Sequence, residues 1–500
     1  MEVINFLQKV IVAIVTSLNN LLWGDFIKLN FGNTEIGLSI MILILLPVGI
    51  FFTFKTKFLP FRLFPEMIRV TLEPKNSNNE KSISGLQALI VATATRVGMG
   101  NLAGVAAAIS FGGAGAVFWM WVVAIFGAAT AFIEATLAQI YKEKDPLYGG
   151  FRGGPSYYIS RMKLMTEVRE SDSLVEDNLD ESNVASSKFG TRFRQSCDFK
   201  VIAILFSISG LICWAGISQI VANSVSQSFV NAFNIPPLYT TIALVIISGF
   251  IIFKKNTVVS ILDKIVPIMA CLYLLLTLFI MIKNLGAIPT MFKEIISQAF
   301  GFKQMVSGGF GAVLMNGIKR GLFSNEAGSG SAPNAAAAAD VSHPSKQGLI
   351  QSLGVFIDTL FICSCSAFII LLAPNSVRDG LVGMDLLQSA VKFHIGEAGV
   401  IFIAIILFLF SFSTFLGIMF YSRSVLAYLF GDKWWAQNAY RAFGLVMLFI
   451  GGLAQYTWVW DLGDLGVALM TIFNMMAILP LANQSLASLK DYEKKFMSKR

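Results

Sequence analysis

Two short stretches carry residues able to hold small charged groups without a metal cluster or a nucleophile. The first is "ATATRVGMGNLAGVAAAI", residues 92–109, where Gly98 and Gly100 flank Met99 and Asn101 follows. The second is "QMVSGGFGAVLMNGIKRGLF", residues 304–323, with Ser307, Gly308, Gly309 and Gly311. It runs on into a dense polar block, "RGLFSNEAGSGSAPNAAAAAD", Arg320–Asp340. Glycines permit backbone angles that a continuous helix does not use. An unwound backbone in hydrocarbon leaves N–H and C=O groups unpaired, and it survives only where it lines a cavity or meets a ligand. The N-terminus of a half-helix offers free N–H donors and positive partial charge to a carboxylate; the C-terminus of the other half offers carbonyls to a cation such as sodium. Hard cations prefer oxygen, so carbonyls and hydroxyls suffice. The competing reading of the glycines is close helix packing, and "GVAAAISFGGAG", residues 104–115, is read that way. Two interruptions in matching places favour binding.

The elements around these breaks are membrane-grade. Of the 500 residues, 55% are hydrophobic and 14% charged, with a mean hydropathy of +0.69; soluble domains carry about 25% charged residues. Residues 3–22 read as an interfacial amphipathic helix, with Leu7, Val10, Ile11, Ile14 and Leu18 on one side. Eleven spans are predicted, near 36–54, 84–110, 114–140, 199–229, 238–253, 260–283, 303–322, 347–373, 399–429, 437–454 and 459–484. Threaded through them, 30 basic residues fall on one side and 7 on the other. The positive-inside rule then puts the N-terminus outside and the C-terminus in the cytoplasm. The net charge of +8 is that bias and calls for no nucleic acid. The long loop near 143–198 is cytoplasmic, and its polar, aromatic-poor middle, about 165–197, reads as a disordered insertion.

Several classes of function fall away. Cys213, Cys271, Cys363 and Cys365 lie in apolar segments and behave as small hydrophobes. Cys197 sits in the long loop, and His343 and His394 are far apart, so neither a disulfide framework nor a metal-ligand spacing is present. No cleavable signal is read at the N-terminus. No HExxH, GxSxG or Cys–His arrangement occurs, so an enzyme is not expected and no cofactor is required.

The two breaks open spans two and seven. Five spans, an odd number, separate them, so the second set is inverted relative to the first. Spans 2–6 and 7–11 form two five-span units of opposite orientation, each opened by a broken helix. On this division, 1–83 holds the amphipathic helix, first span and basic loop. The repeats are 84–283 and 284–490, and 491–500 is a cytoplasmic tail. This is the plan of secondary transporters with a midplane site.

Further motifs carry a family resemblance. "GNLAGVAAAISFGGAGAVFWMWV", "GGPSYYI" at 153–159, "GIKRGLFSNEAGSGSAPNAAAAAD", "HPSKQGL" and "DTLFIC" resemble the alanine or glycine:cation symporter family, over nearly the whole chain outside 165–197. The resemblance implies an all-α membrane protein of eleven transmembrane helices with a LeuT-type 5+5 inverted repeat. It implies a bacterial plasma-membrane carrier that brings a small neutral amino acid inward with sodium. By the same analogy, the N–H groups of Met99 and Gly100 hold the substrate carboxylate. Carbonyls of Ala94 and Val97 and hydroxyls of Ser413 and Thr414 hold sodium; helix back-bonding is the bland alternative for both hydroxyls. Asn101 serves a second cation or caps the break, and Ser307 and Phe310 complete the pocket. The Arg320–Asp340 block emerges on the cytoplasmic side as an inner gate hinge or simply a well-capped loop. Ser324 and Asn325 are its capping candidates, and Glu326 pairs with a base such as Arg320.

Three positions depart from the family. Met99 stands where the family shows a threonine, Val221 where it shows a glutamine, and Ile418 where it often shows a tryptophan. Losing an indole frees volume, and losing a glutamine removes a hydrogen bond. These changes predict a substrate larger and more apolar than alanine or glycine. Charges inside spans are expensive, yet Arg96, Glu134 and Asp358 each have a bland role open to them and none is assigned as a ligand. A proton-coupled carrier and a non-transporting amino-acid sensor stand as alternatives, and a channel is disfavoured by two broken helices within one chain.

Overall fold

The computed structural model describes residues 2–31, 34–77, 81–162, 199–254, 257–300, 310–454 and 456–498. The 165–197 insertion, Cys197, Ser307, Gly308 and Gly309 lie outside them. The described residues form a helical bundle with two small antiparallel hairpins. Among the described residues six helices are long and apolar enough to cross a membrane: Gly115–Ile140, Phe199–Phe233, Thr257–Lys283, Pro344–Leu371, Glu397–Phe430 and Val459–Met497. A bent pair, Gly85–Arg96 with Gly100–Gly112, makes a seventh. Shorter helices, Ile40–Lys55, Pro237–Ile252, Phe310–Asn325 and Trp434–Leu453, stand where the remaining spans are predicted.

Glu2–Trp23 is helical. Ile14, Leu18 and Leu21 face outward while Val15 and Leu22 are buried, the division expected of a helix lying against the bundle. Asn19 donates to Asp461 at 3.0 Å, and the Trp23 indole donates to the Asp464 carbonyl at 3.2 Å, so this helix is fixed to the last one. The hairpin Ile27–Phe31/Thr34–Leu38 that follows was not predicted.

We label the elements around the centre as follows: α1 is Gly85–Arg96 and α2 Val105–Gly112; α3 is Gly115–Ile140; α4 is Phe310–Asn325 and α5 Pro333–Ala338; α6 is Pro344–Val355; α7 is Glu397–Phe430; α8 is Tyr456–Tyr492. The start of α1 is written in its sequence. Ser84 accepts from the Gln87 N–H and the Gln87 side chain accepts from the Ser84 N–H, at 3.1 and 3.0 Å. This reciprocal box satisfies two of the helix's orphan donors. The helix stops at Val97, whose ψ of 83° leaves the helical region, and the chain turns by 50° before resuming. The resumed segment, Gly100–Gly104, is wound as a π-helix and leads into α2. Pro344–Leu371 likewise contains a π-wound stretch, Phe356–Cys363; single π turns inside helices concentrate at functional sites.

A second interruption lies downstream of the glycine cluster read from the sequence, of which only Phe310 and Gly311 are among the described residues. Gly311 lies inside α4, which is helical through Asn325. The non-helical stretch is Glu326–Ala332, and α5 follows it. The polar block therefore holds an interruption of its own, between α4 and α5. Glu326 adopts the left-handed conformation, φ +56°, and Gly328 has φ +89°, a region where only glycine carries no steric penalty. The whole block is buried, so its backbone needs partners from elsewhere. Glu134 on α3 accepts the Gly328 N–H at 3.1 Å, and Asn474 on α8 donates to the Gly328 carbonyl at 2.9 Å and to Glu134 at 2.8 Å. Asn334 donates to the Gly330 and Ser331 carbonyls. These contacts give Glu134 a structural role that sequence position alone did not assign.

Candidate functional site

The two breaks touch. A side chain added at Gly100 would lie 3.3 Å from the Phe323 ring and 3.7 Å from the Ser324 backbone. The site is therefore assembled where α1 breaks and α4 ends. Within the first break, Asn101 accepts the Gly98 N–H at 2.8 Å through its side-chain oxygen, and its own N–H reaches the Gly98 carbonyl at 3.2 Å. The side chain thus caps the unwound turn. Its amide nitrogen donates to Asp358 Oδ1 at 2.7 Å, and its carbonyl accepts from Ser366 at 2.5 Å.

Asp358 joins the two breaks. Its other oxygen accepts from Ser324 at 2.7 Å and from Thr359 at 2.8 Å. Asp358 is wholly buried, and a buried carboxylate persists as an anion only when hydrogen-bonded and matched by positive charge. The hydrogen bonds are these three. The guanidinium of Arg96, 1% exposed, is the cation whose field reaches Asp358, and it also acts on Glu134 and Glu326. Among the described residues Arg96 makes one long contact, 3.4 Å to the Gln351 carbonyl, and its Nε and Nη2 have no partner. It acts on the carboxylates across space rather than by direct pairing.

The predicted cation residues separate on inspection. Thr414 on α7 has its hydroxyl 3.0 Å from the Ala94 carbonyl and 2.9 Å from that of Phe410. Three oxygens from two helices therefore converge beside the break. Gly98 makes this approach possible, since an added Cβ would stand 2.1 Å from Thr414 Oγ1. Val97 is buried next to it. Ser413 points elsewhere: its hydroxyl back-bonds to the Phe410 carbonyl at 2.9 Å and lies 3.6 Å from the Met269 sulfur. We expect Gly98→Ala to lower uptake at least tenfold by driving α7 away from the break. Uptake within twofold of wild type, in protein that elutes as a monodisperse peak, contradicts this.

Of the other predicted residues, Met99, Val221 and Ile418 are buried, at 2%, 0% and 0% exposure. Val221 lies in Phe199–Phe233 and Ile418 in α7, one residue after Gly417, where an added Cβ would meet Thr95. Phe310 begins α4; Ser307 lies outside the described residues. Ser324 serves Asp358. Asn325 accepts the Ala327 N–H at 3.0 Å, capping the turn. Glu326 does not pair with Arg320. It accepts from Thr95 and Tyr421, each at 3.3 Å.

Arg320 instead closes the other side of the centre. It binds Asp464 on α8 with both terminal nitrogens, at 3.0 and 3.1 Å, and Lys319 reaches the same carboxylate at 2.7 Å. The guanidinium lies 4.4 Å from the Trp460 ring centroid, and Trp460 in turn packs on Phe323 at 5.2 Å. At the opposite end, the start of α1 and the end of α5 are joined by a parallel bridge between Ile83 and Ala339, with the Asp340 N–H on the Ile83 carbonyl at 2.9 Å. Lys142 and Gln139 donate to the Ala339 carbonyl, at 2.8 and 2.9 Å. Burial lowers the Lys142 pKa to about 8, against an upward pull from Asp340. The centre is sealed at both ends by polar contacts. Sequence reasoning weighed Asp358 and Arg96 without assigning them and missed Asp464 and Trp460. The available signal was an isolated charge at membrane depth.

Comparison with known proteins agrees with a transport role for this architecture. A family model described as the sodium:alanine symporter family matches residues 25–500. The amino-acid carrier protein AlsT of Bacillus subtilis (strain 168) is 41% identical over 453 residues, covering 90% of this chain and 89% of that one. The probable sodium/glutamine symporter GlnT of the same organism is 39% identical, covering 97% of this chain and 91% of the relative. The sodium/alanine symporter AgcS of Methanococcus maripaludis is 32% identical, covering 96% and 97%.

Proposed function

Because the chain belongs to the sodium:alanine symporter family, we propose that it imports a small neutral amino acid together with sodium by alternating access. The observation that carries this is the meeting of two interrupted helices around Asp358, with Asn101 from one and Ser324 from the other on the same carboxylate. In this reading the eleven helical segments are all membrane spans. Spans 2–6 and 7–11 are two inverted five-span repeats, with the second break at Glu326–Ala332. The N-terminus is outside and the C-terminus in the cytoplasm of a bacterial plasma membrane, as the basic-residue bias indicates.

The residues divide the work by chemistry. The first N–H groups of the resumed helix, those of Met99 and Gly100, have the partial positive charge suited to the substrate carboxylate. Sodium draws on the carbonyls of Ala94 and Val97 and the hydroxyl of Thr414. The convergence of Thr414 on Ala94 supports that assignment; the orientation of Ser413 toward Met269 argues for leaving it out. Asp358 supplies a negative charge near the same point, which favours retention of a cation, and Asn101, with its oxygen on the Gly98 N–H and its NH2 group on Asp358, ties the carboxylate to the break. Met99, Val221 and Ile418 line the substrate's side-chain end, so the preferred substrate is larger and more apolar than alanine.

Uptake of labelled alanine and labelled glutamine into proteoliposomes, with and without an inward sodium gradient, tests the transport reading. Sodium-driven accumulation of one or both is expected, and its absence for both overturns it. Competition against the accumulated probe by a panel of neutral amino acids tests the preference. Best displacement by glycine and alanine overturns the larger-substrate reading alone.

A further inference from the structure

A cavity of about 420 Å³ opens at the end of the bundle that carries the basic loops, within the 300–1,000 Å³ span of roughly typical small-molecule pockets. Lys81, Asp145, Arg152, Asp263 and Arg423 are its charged lining residues. Arg152 is paired with Glu143 and Asp432, whereas Arg423 and Asp263, of opposite charge, keep polar atoms without a hydrogen-bond partner among the described residues. Arg423, on α7, lies with its guanidinium over the rings of Tyr148 and Phe420, at 4.1 and 4.8 Å. No hydrogen-bond acceptor engages it among the described residues. Asp145 is the carboxylate whose field reaches it, but one Asp145 oxygen already holds the N–H groups of Leu147 and Tyr148. Asp263, on Thr257–Lys283, accepts from Gln87 at 2.8 Å through Oδ2, while its Oδ1 is buried without a partner among the described residues.

We propose that this cavity is a second binding station for the transported amino acid, its carboxylate on Arg423 and its ammonium on Asp263 Oδ1. This rests on the transport reading above and adds to it a site on the cytoplasmic side. An unpaired guanidinium supplies several donors in a planar fork that matches a carboxylate, and an orphaned carboxylate oxygen is the matching acceptor for an ammonium. Burying one charge alone is costly; a zwitterion satisfies both at once. The position suits a release station. Arg423 lies nine residues beyond Thr414 on one helix, about 14 Å at 1.5 Å per residue, and Tyr421 between them touches Glu326 at the second break. Gln87 belongs to α1, so the station also contacts the helix whose interruption forms the central site. The aromatic faces under Arg423 hold it without consuming its donors.

The test separates the two faces of the membrane. In oriented proteoliposomes the KM for labelled alanine, and separately for labelled glutamine, is measured from the cytoplasmic and the outer side for wild type, Arg423→Gln, Arg423→Lys and Asp263→Asn. Both Arg423→Gln and Asp263→Asn are expected to raise the cytoplasmic KM at least tenfold while leaving the outer KM within twofold, with Arg423→Lys intermediate. An unchanged cytoplasmic KM, or an equal rise at both faces, overturns the proposal. A rise with Arg423→Gln but not Asp263→Asn, together with competition by inorganic phosphate, assigns the cavity to a simple anion and also overturns it. Wild type that transports neither probe removes the transport reading and this station with it; wild type that transports normally while both variants match it removes the station alone.

Discussion

Asp358→Asn is expected to cut sodium-driven uptake about a hundredfold or more, on the scale of breaking a buried charged network, roughly 3–5 kcal/mol. The substitution keeps the shape and removes the charge. Ser324 and Thr359 now both donate to one carboxylate oxygen. An amide presents either an oxygen or an NH2 group there, so one of the sets around Asp358 loses its match. Arg96 also loses the anion on the opposite side of the break. The effect should fall chiefly on sodium, as a large rise in the sodium concentration giving half-maximal uptake. Asp358→Glu should also transport poorly, because one extra methylene displaces a carboxylate held from three sides. Sodium dependence and rate within twofold of wild type in Asp358→Asn would mean that the carboxylate is a packing element and nothing more.

Asp464→Asn is expected to have the second-largest effect, through the far closure. One carboxylate there faces two cations, Lys319 at 2.7 Å and Arg320 at 3.0 Å, with Asp464 side-chain exposure of only 2%. Removing it leaves two positive charges side by side in a poorly hydrated place. An uncompensated buried charge costs about 3–5 kcal/mol. The melting temperature should drop, and uptake should fall at least tenfold because that end of the centre no longer seals. Arg320→Lys should sit between wild type and Asp464→Asn. It keeps the charge but loses the bidentate fork and the stacking on Trp460. An Asp464→Asn variant that melts with wild type contradicts the role given to this closure.

How much of this was legible beforehand depends on the reach of each interaction. The start of α1 is a local matter of Ser84 and Gln87, three residues apart, and the sequence states it. The first break is local as well: Gly98, Gly100 and Asn101 contain both the flexibility and the cap. The second break was placed at the glycine cluster near 308–311, most of which lies outside the described residues; the interruption the structure describes is Glu326–Ala332. Its backbone is satisfied by Glu134 and Asn474, about 190 residues before and 150 after in sequence, and no local pattern reveals partners at that separation. Within the block read as a hinge or a well-capped loop, Pro333–Ala338 forms a helix of only six residues. Asp358 was noticed as a charge at depth, but its meaning lies in Asn101, 257 positions away. Ser413 and Thr414 were read as a pair, and only rotation about the helix axis distinguishes them. One faces the break and the other faces Met269. The hairpin at 27–38 escaped because its strands are five residues each, too short for alternation to stand out.

The parallel bridge between Ile83 and Ala339 has a mechanical consequence. It fastens the leading end of one interrupted rod to the trailing end of the other through their main chains, where side-chain substitution cannot easily loosen it. The two rods are thereby yoked: at this end neither can swing without tugging the other. Loosening at this end is therefore expected to take both rods together rather than one at a time.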